Sequence, residues 1–114
     1  MIVTPYLTFR LHESFYGIKA TLIQEIFYLP ELTAAIEAPR EIVGVINLRG
    51  MIVPVMDLNL RLGRQPQPYQ LSDSIIVLEW QEQLLGILVS QVYEVKNLDA
   101  SHLEKAVQLS LIHI

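Results

Sequence analysis

Residues that can do chemistry are few in this sequence, and they are scattered. The three histidines, His12, His102 and His113, have no second ligand at helical or hairpin spacing, so no metal site is expected. Ser101 and His102 are neighbours in sequence, but a nucleophile–base pair is made by geometry, not adjacency. There is no glycine loop to cradle phosphate and no zinc-protease histidine pair. The carboxylates show no pairing that would set acid against base. With no cysteine, disulfides and thiolate metal sites are excluded. The sequence therefore predicts no catalytic residue, no metal and no cofactor. What is left is recognition chemistry. Arg49 carries a planar set of donors suited to a carboxylate, and Glu25 and Glu94 stand among apolar neighbours.

The element that must position Arg49 is the clearest hairpin in the chain. Val45-Ile46-Asn47-Leu48 and Met51-Ile52-Val53-Pro54-Val55-Met56 flank Arg49-Gly50, and Gly50 supplies the positive φ that a two-residue turn requires. Asn47 reads as a residue that orders this turn. Pro54 lacks a ladder donor, so its nitrogen should face away from a neighbouring strand. Asp57 caps a short helix with Leu58 and Leu62 inward, and Gly63 ends it. On these residues alone, Arg49 is either a solvated turn arginine or an exposed donor set for a partner. Glu25 and Glu94 either accept backbone hydrogen bonds at strand ends or, for Glu25, face a partner.

The remaining elements also read mainly as strands, rich in valine and isoleucine and separated by turn residues. Tyr6–Leu11 turns at His12-Glu13-Ser14 and returns at Phe15–Ile18. Leu22, Ile23 and Ile26 suggest a short helical turn, and Phe27–Leu29 is extended ahead of Pro30. One helical turn is predicted at Pro39–Val43. Ser74–Trp80 and Leu84–Val89 form a second hairpin about Gln81-Glu82-Gln83, and Ser101 with Glu104 forms a capping pattern for a late turn. The predicted class is all-β with short helical turns.

The 114 residues suit one domain. At 52% hydrophobic and 18% charged, the chain is apolar enough that part of that content serves either a two-layered core or partner surfaces. The net charge of −4 is spread evenly, and no basic stripe is interleaved with aromatics, so nucleic-acid binding is not expected. No apolar run approaches the roughly 20 residues of a membrane span, and the N-terminus lacks a signal-peptide pattern. A cytoplasmic protein without membrane insertion is predicted.

A shift of 69 positions aligns the chain with itself. Phe9-Arg10-Leu11 falls on Leu78-Glu79-Trp80, Phe15-Tyr16-Gly17-Ile18 on Leu84-Leu85-Gly86-Ile87, and Ile23-Gln24-Glu25-Ile26 on Val92-Tyr93-Glu94-Val95. Two glycines and two glutamates in register make this an internal repeat. It implies two similar β units within a single domain spanning 1–114: a first over 6–64, a linker over 65–72 and a partial second over 73–108. Residues 109–114 do not continue the pattern and read as a natural variant or a foreign tail. Such a second unit should leave an unpaired strand edge, and self-association through that edge is expected.

The segment Gly44-Val-Ile-Asn-Leu-Arg-Gly-Met-Ile-Val-Pro-Val-Met-Asp-Leu58 resembles the central signature of the CheW family, G-V-x-N-L-R-G followed by V-P-[VI]-x-D-L. Tyr16-Gly17-Ile18, Gln24-Glu25-Ile26 and Gly86-Ile87-Leu88-Val89 match it too, so the likeness runs from about Tyr6 to about Val107. The resemblance implies a pair of intertwined five-stranded β-barrels, the second incomplete here. It also implies a non-enzymatic adaptor joining the cytoplasmic tip of chemoreceptors to the regulatory domain of a CheA-type histidine kinase. The partner-binding residues it points to are Ile23, Glu25, Gly44, Asn47, Arg49 and Gly50, with Ile23 and Val92 lining a groove between the barrels or simply packing in the core. The rival readings are a self-associating fragment without coupling activity and a small-ligand sensor, which would need a concave pocket with converging polar groups.

Overall fold

The computed structural model describes residues 3–29, 32–34, 37–99, 101, 104–105 and 111–113, the last two stretches by their backbone. The chain is mainly strand, as predicted. β1 (Thr4–Leu11) and β2 (Ser14–Lys19) are joined at His12-Glu13. A 3-10 turn over Ala20–Leu22 leads into β3 (Ile23–Tyr28). β4 (Ile42–Leu48), β5 (Met51–Asp57) and a one-turn helix, α1 (Leu58–Arg61), follow. Then come β6 (Ser74–Trp80), β7 (Gln83–Val89), β8 (Gln91–Leu98), β9 (Glu104–Lys105) and β10 (Leu111–His113).

Several local expectations need correction. The helical turn read from Leu22, Ile23 and Ile26 stops at Leu22, because the β-branched Ile23 begins a strand with alternating burial. No helix forms at Pro39: Ile42 N–H donates to the Pro39 carbonyl at 3.0 Å, closing a turn that opens directly into β4. Both turns read as three residues have two: His12-Glu13 joins the first hairpin, with Ser14 already strand, and Gln81 and Glu82 take left-handed φ (52° and 66°) without glycine in the second, with Gln83 already strand. Glu104 lies in β9 instead of closing a capped turn, and part of that stretch falls outside the described residues.

The strands form two five-stranded sheets, ordered β8-β1-β2-β10-β9 and β3-β6-β7-β5-β4. The repeat accounts for this arrangement. β1, β2 and β3 are the 69-residue mates of β6, β7 and β8, and each half lends its third strand to the other half's sheet. The mates keep their register: Ile23 faces Leu78 and Ile26 faces Ile76, while Val92 faces Phe9 and Val95 faces Leu7. Both pairings slip by one residue at the same place, beside Glu25 and beside Glu94. The glutamates of the repeat thus mark paired β-bulges.

Two cores result. Phe9, Leu11, Ile18, Leu58, Ile76, Leu78 and Ile87, all essentially inaccessible, pack between the sheets. Ile46, Val53, Val55, Ile75, Val77 and Leu88 fill the inside of the second sheet, with Phe27 of β3 and Leu29, just past its end, against them. Alternate residues of β6 and β7 serve opposite cores, which explains their unbroken apolar runs. Each such buried aliphatic side chain stabilises the fold by about 2 kcal/mol.

Asp57 is 4% exposed and caps α1, accepting from Asn59 N–H at 2.9 Å and Leu60 N–H at 3.2 Å. Its other oxygen accepts from the Tyr69 hydroxyl at 2.8 Å, so the stretch read as a linker is tied to the body. Burial, then the Asp57 hydrogen bond and the negative charges of Asp57 and Asp73, push the Tyr69 phenol well above its ordinary value. The free side of β2 carries β10 along Tyr16, Gly17 and Ile18, with β9 beyond it. Residues 109 and 110 of the tail lie outside the described residues.

Candidate functional site

The β4–β5 hairpin sets the candidate site. Arg49 and Gly50 have φ of 51° and 84°, a type I′ turn whose twist matches the strands it joins. Gly50 N–H donates to Asn47 Oδ1 at 2.9 Å, so Asn47 orders the turn as predicted. The turn projects Arg49 toward β3, at the opposite end of the sheet order, where Arg49 Nη1 lies 3.1 Å from Glu25 Oε2. That oxygen is buried and has no partner of hydrogen-bonding geometry, so the contact is coulombic in character. The Glu25 side chain is 34% exposed and that of Arg49 is 73% exposed. Arg49 therefore offers its remaining donors to solvent or to a partner.

Four of the six predicted residues thus meet in one place: Glu25, Asn47, Arg49 and Gly50. The other two pack. Ile23 is half-buried against the inter-sheet core. Gly44 is buried where a Cβ would stand 2.9 Å from both Leu32 Cβ and the Thr33 carbonyl, because the Thr33 segment bridges to Val45 across that point. The groove between β3 and β8, about 490 Å³, is lined by Ile26, Tyr28, Val92 and Gln91 among others; Val92 faces it, and Ile23 is not among its lining residues.

Sequence reading missed the apolar flank of the pair. Met51 and Ile52, next to the turn, are 56% and 66% exposed, and Tyr28 on β3 is 75% exposed. The signal was present in Met51-Ile52-Val53, three consecutive apolar residues in an alternating strand, at least one of which must face outward. A second missed feature is a polar cleft of about 650 Å³ lined by Arg10, His12, Glu13, Ser14, Asn59 and Arg64. Its cations are already engaged. Arg64 donates to the Tyr16 hydroxyl and packs its guanidinium over that ring, while Arg10 donates to Tyr93 Oη and to the His12 carbonyl. Among the described residues, no group of three or more His, Asp or Glu side chains is placed to hold a metal. No described helix is long and apolar enough to cross a membrane.

Comparison with known proteins places this geometry. The family model of the CheW-like domain matches residues 5–113. The chemotaxis protein CheW of Klebsiella aerogenes is 34% identical over 106 residues, covering 93% of this chain and 64% of that protein. The probable chemotaxis protein CheW of Rhizobium etli is 32% identical over 89 residues, covering 78% of this chain and 57% of the relative. Among solved structures, the scaffolding protein TtCheW from Thermoanaerobacter tengcongensis superposes with a TM-score of 0.81 at 33% identity, over 90% of this chain and 70% of that one. The chain thus spans roughly three fifths of the length of these two sequence relatives. Paired sheets related by an internal repeat, an Asn-Leu-Arg-Gly turn and a family match over nearly its whole length show that the chain belongs to the CheW-like domain family.

Proposed function

We propose that this chain is a non-enzymatic cytoplasmic adaptor that couples the cytoplasmic tip of chemoreceptors to the regulatory domain of a CheA-type histidine kinase. The observation that carries the reading is the Arg49–Glu25 pair: an exposed guanidinium held by a turn of fixed geometry and flanked by exposed Met51 and Ile52. A charged anchor beside apolar surface is the composition of a protein-binding hot spot. The groove between β3 and β8 sets Ile26, Phe27, Tyr28 and Val92 beside Arg10, Ser72, Ser74, Ser90 and Gln91, a mixed apolar and polar lining of the kind that meets an amphipathic helix, and we assign it to the receptor tip. The names of the relatives, chemotaxis proteins and a scaffolding protein, support the same reading.

Calorimetric titration with a kinase regulatory domain tests it. Saturable one-to-one binding at roughly micromolar affinity is expected, weakened about tenfold by Arg49→Ala. No heat from a folded sample removes the adaptor reading. Unchanged affinity in the variant removes Arg49 from the site.

A further inference from the structure

The polar cleft beside the β1–β2 turn holds chemistry for which an adaptor has no use. One wall is Arg10, His12, Glu13 and Ser14; the other is Asn59 of α1 with Arg64 and two glutamines of the loop that follows. Both arginines are positioned and neither is neutralised. Arg64 lays its guanidinium over the Tyr16 ring, 5.5 Å from its centre, and donates through Nη2 to the Tyr16 hydroxyl and, at 3.4 Å, to Ser14 Oγ. Arg10 donates through Nε to Tyr93 Oη at 3.2 Å and through Nη1 to the His12 carbonyl at 2.8 Å. Every one of these acceptors is neutral. The ion pairs among the described residues are Arg49–Glu25 and Lys96–Glu94, so no described carboxylate stands within salt-bridge reach of Arg10 or Arg64. Arg64 Nε and Nη1 and Arg10 Nη2 keep donors to offer.

The walls are held from behind. Asn59 is 3% exposed and donates from Nδ2 to the Gln65 carbonyl at 2.7 Å, and Arg64 N–H donates to the Asn59 carbonyl at 3.0 Å. His12 N–H donates to Ser90 Oγ at 2.9 Å, fixing a turn residue whose φ is 55°. The repeat separates the cleft's charge from the needs of the fold. The 69-position mates of Arg10, His12, Glu13 and Ser14 are Glu79, Gln81, Glu82 and Gln83. All four mates are exposed, although the β4–β5 hairpin completes their sheet, so this corner of a unit faces solvent even when its sheet is whole. The charge at the first position is reversed between the copies, Arg10 against Glu79, so the strand itself asks for neither sign.

We propose that this cleft binds the phosphate monoester of a small polyhydroxylated solute, a sugar phosphate. Two uncompensated guanidinium charges match a group that carries about −1.5 to −2 at neutral pH and offers three strong acceptor oxygens. The cleft, at about 650 Å³, is far larger than a phosphate. Its remaining space is bounded by the amides of Asn59, Gln65 and Gln67, which both donate to and accept from hydroxyl groups. No aromatic or aliphatic side chain is among the lining residues, which leaves a nucleobase or an acyl chain nothing to pack against.

The test is a titration of the whole 114-residue chain with ribose 5-phosphate, inorganic phosphate and ribose at constant ionic strength, followed by amide and arginine side-chain magnetic resonance. Saturable shifts at His12, Ser14, Asn59 and Arg64 are expected with ribose 5-phosphate at roughly millimolar affinity, more weakly with inorganic phosphate and not at all with ribose. Arg10→Gln and Arg64→Gln should each weaken binding about tenfold, and Arg64→Lys, which keeps the charge, by less. Gln67→Glu sets a negative charge at an exposed position, and should weaken binding by a similar factor even where an arginine variant loses structure. Glu13→Gln, which removes the rim carboxylate, should tighten it. No saturation with the folded chain overturns the proposal, as do shifts confined to other parts of the molecule or binding indifferent to Gln67→Glu. Inorganic phosphate binding as tightly as the ester overturns the sugar assignment. A phosphoserine peptide binding more tightly than ribose 5-phosphate overturns it in favour of a protein partner.

Discussion

Arg49 and Glu25 are oppositely charged and 3.1 Å apart, yet most of the arginine faces water. Exposed pairs of this kind contribute about 0–1 kcal/mol, because solvent screens the attraction and two long side chains lose freedom. Arg49→Ala should therefore lower stability by less than about 1 kcal/mol in urea unfolding while weakening partner binding, a split that a purely structural arginine would not show. Tyr69 makes the opposite kind of statement. Its phenol is held above the ordinary 10.0 by burial and by Asp57, so the folded state keeps a proton that the unfolded state loses. That contribution is fully present below about pH 10 and is lost as pH rises further. Stability measured from pH 8 to 11 should fall above pH 10, and Tyr69→Phe should remove part of that slope. Arg49 was legible in the sequence because turn chemistry is local. Its partner Glu25 was singled out, but their contact was not foreseen, because it joins opposite ends of a curled sheet.

The β4–β5 hairpin and α1 form one device, and its glycines and caps have separable costs. Asp57→Ala removes the one oxygen that accepts both cap hydrogen bonds, and the Tyr69 contact with it, and should cost about 2 kcal/mol in urea unfolding. Gly50→Ala meets nothing within 4 Å and suffers only its positive φ, about 1 kcal/mol. Gly44→Ala should cost more than Gly50→Ala, since its Cβ would press on the Leu32 side chain and the Thr33 backbone at 2.9 Å. An equal or smaller loss for Gly44→Ala in the same denaturation series would contradict the packing argument. This hairpin was readable almost residue by residue, from Asn47 through Gly63. The Pro39 turn and the two-residue Gln81-Glu82 turn were misread, because neither has the glycine or capping signal that marks its type in a sequence.

At the scale of the molecule, the two halves exchange strands: β3 completes the sheet of β6 and β7, and β8 that of β1 and β2. The repeat predicted two similar units, and the resemblance implied that they intertwine. Which strand pairs with which was not written in any local pattern, because strand partners are chosen by burial across long separations. A chain ending at residue 72 should lack ordered tertiary structure by near-ultraviolet circular dichroism, and adding residues 73–114 should restore it. A folded first fragment would show that the exchange is not required for stability.

The exchange also dictates an order of events during synthesis. Thr8 Oγ1 donates to the Glu94 carbonyl, 86 positions further along the chain, so β1 cannot gain its outer neighbour until β8 has been made. A nascent chain emerging from its N-terminus must hold β1, β2 and β3 with open edges while β6 to β8 are still being made. Contacts of such separation form slowly and leave strands exposed to wrong partners meanwhile. The interval before β8 arrives is when this protein most depends on being shielded from other chains.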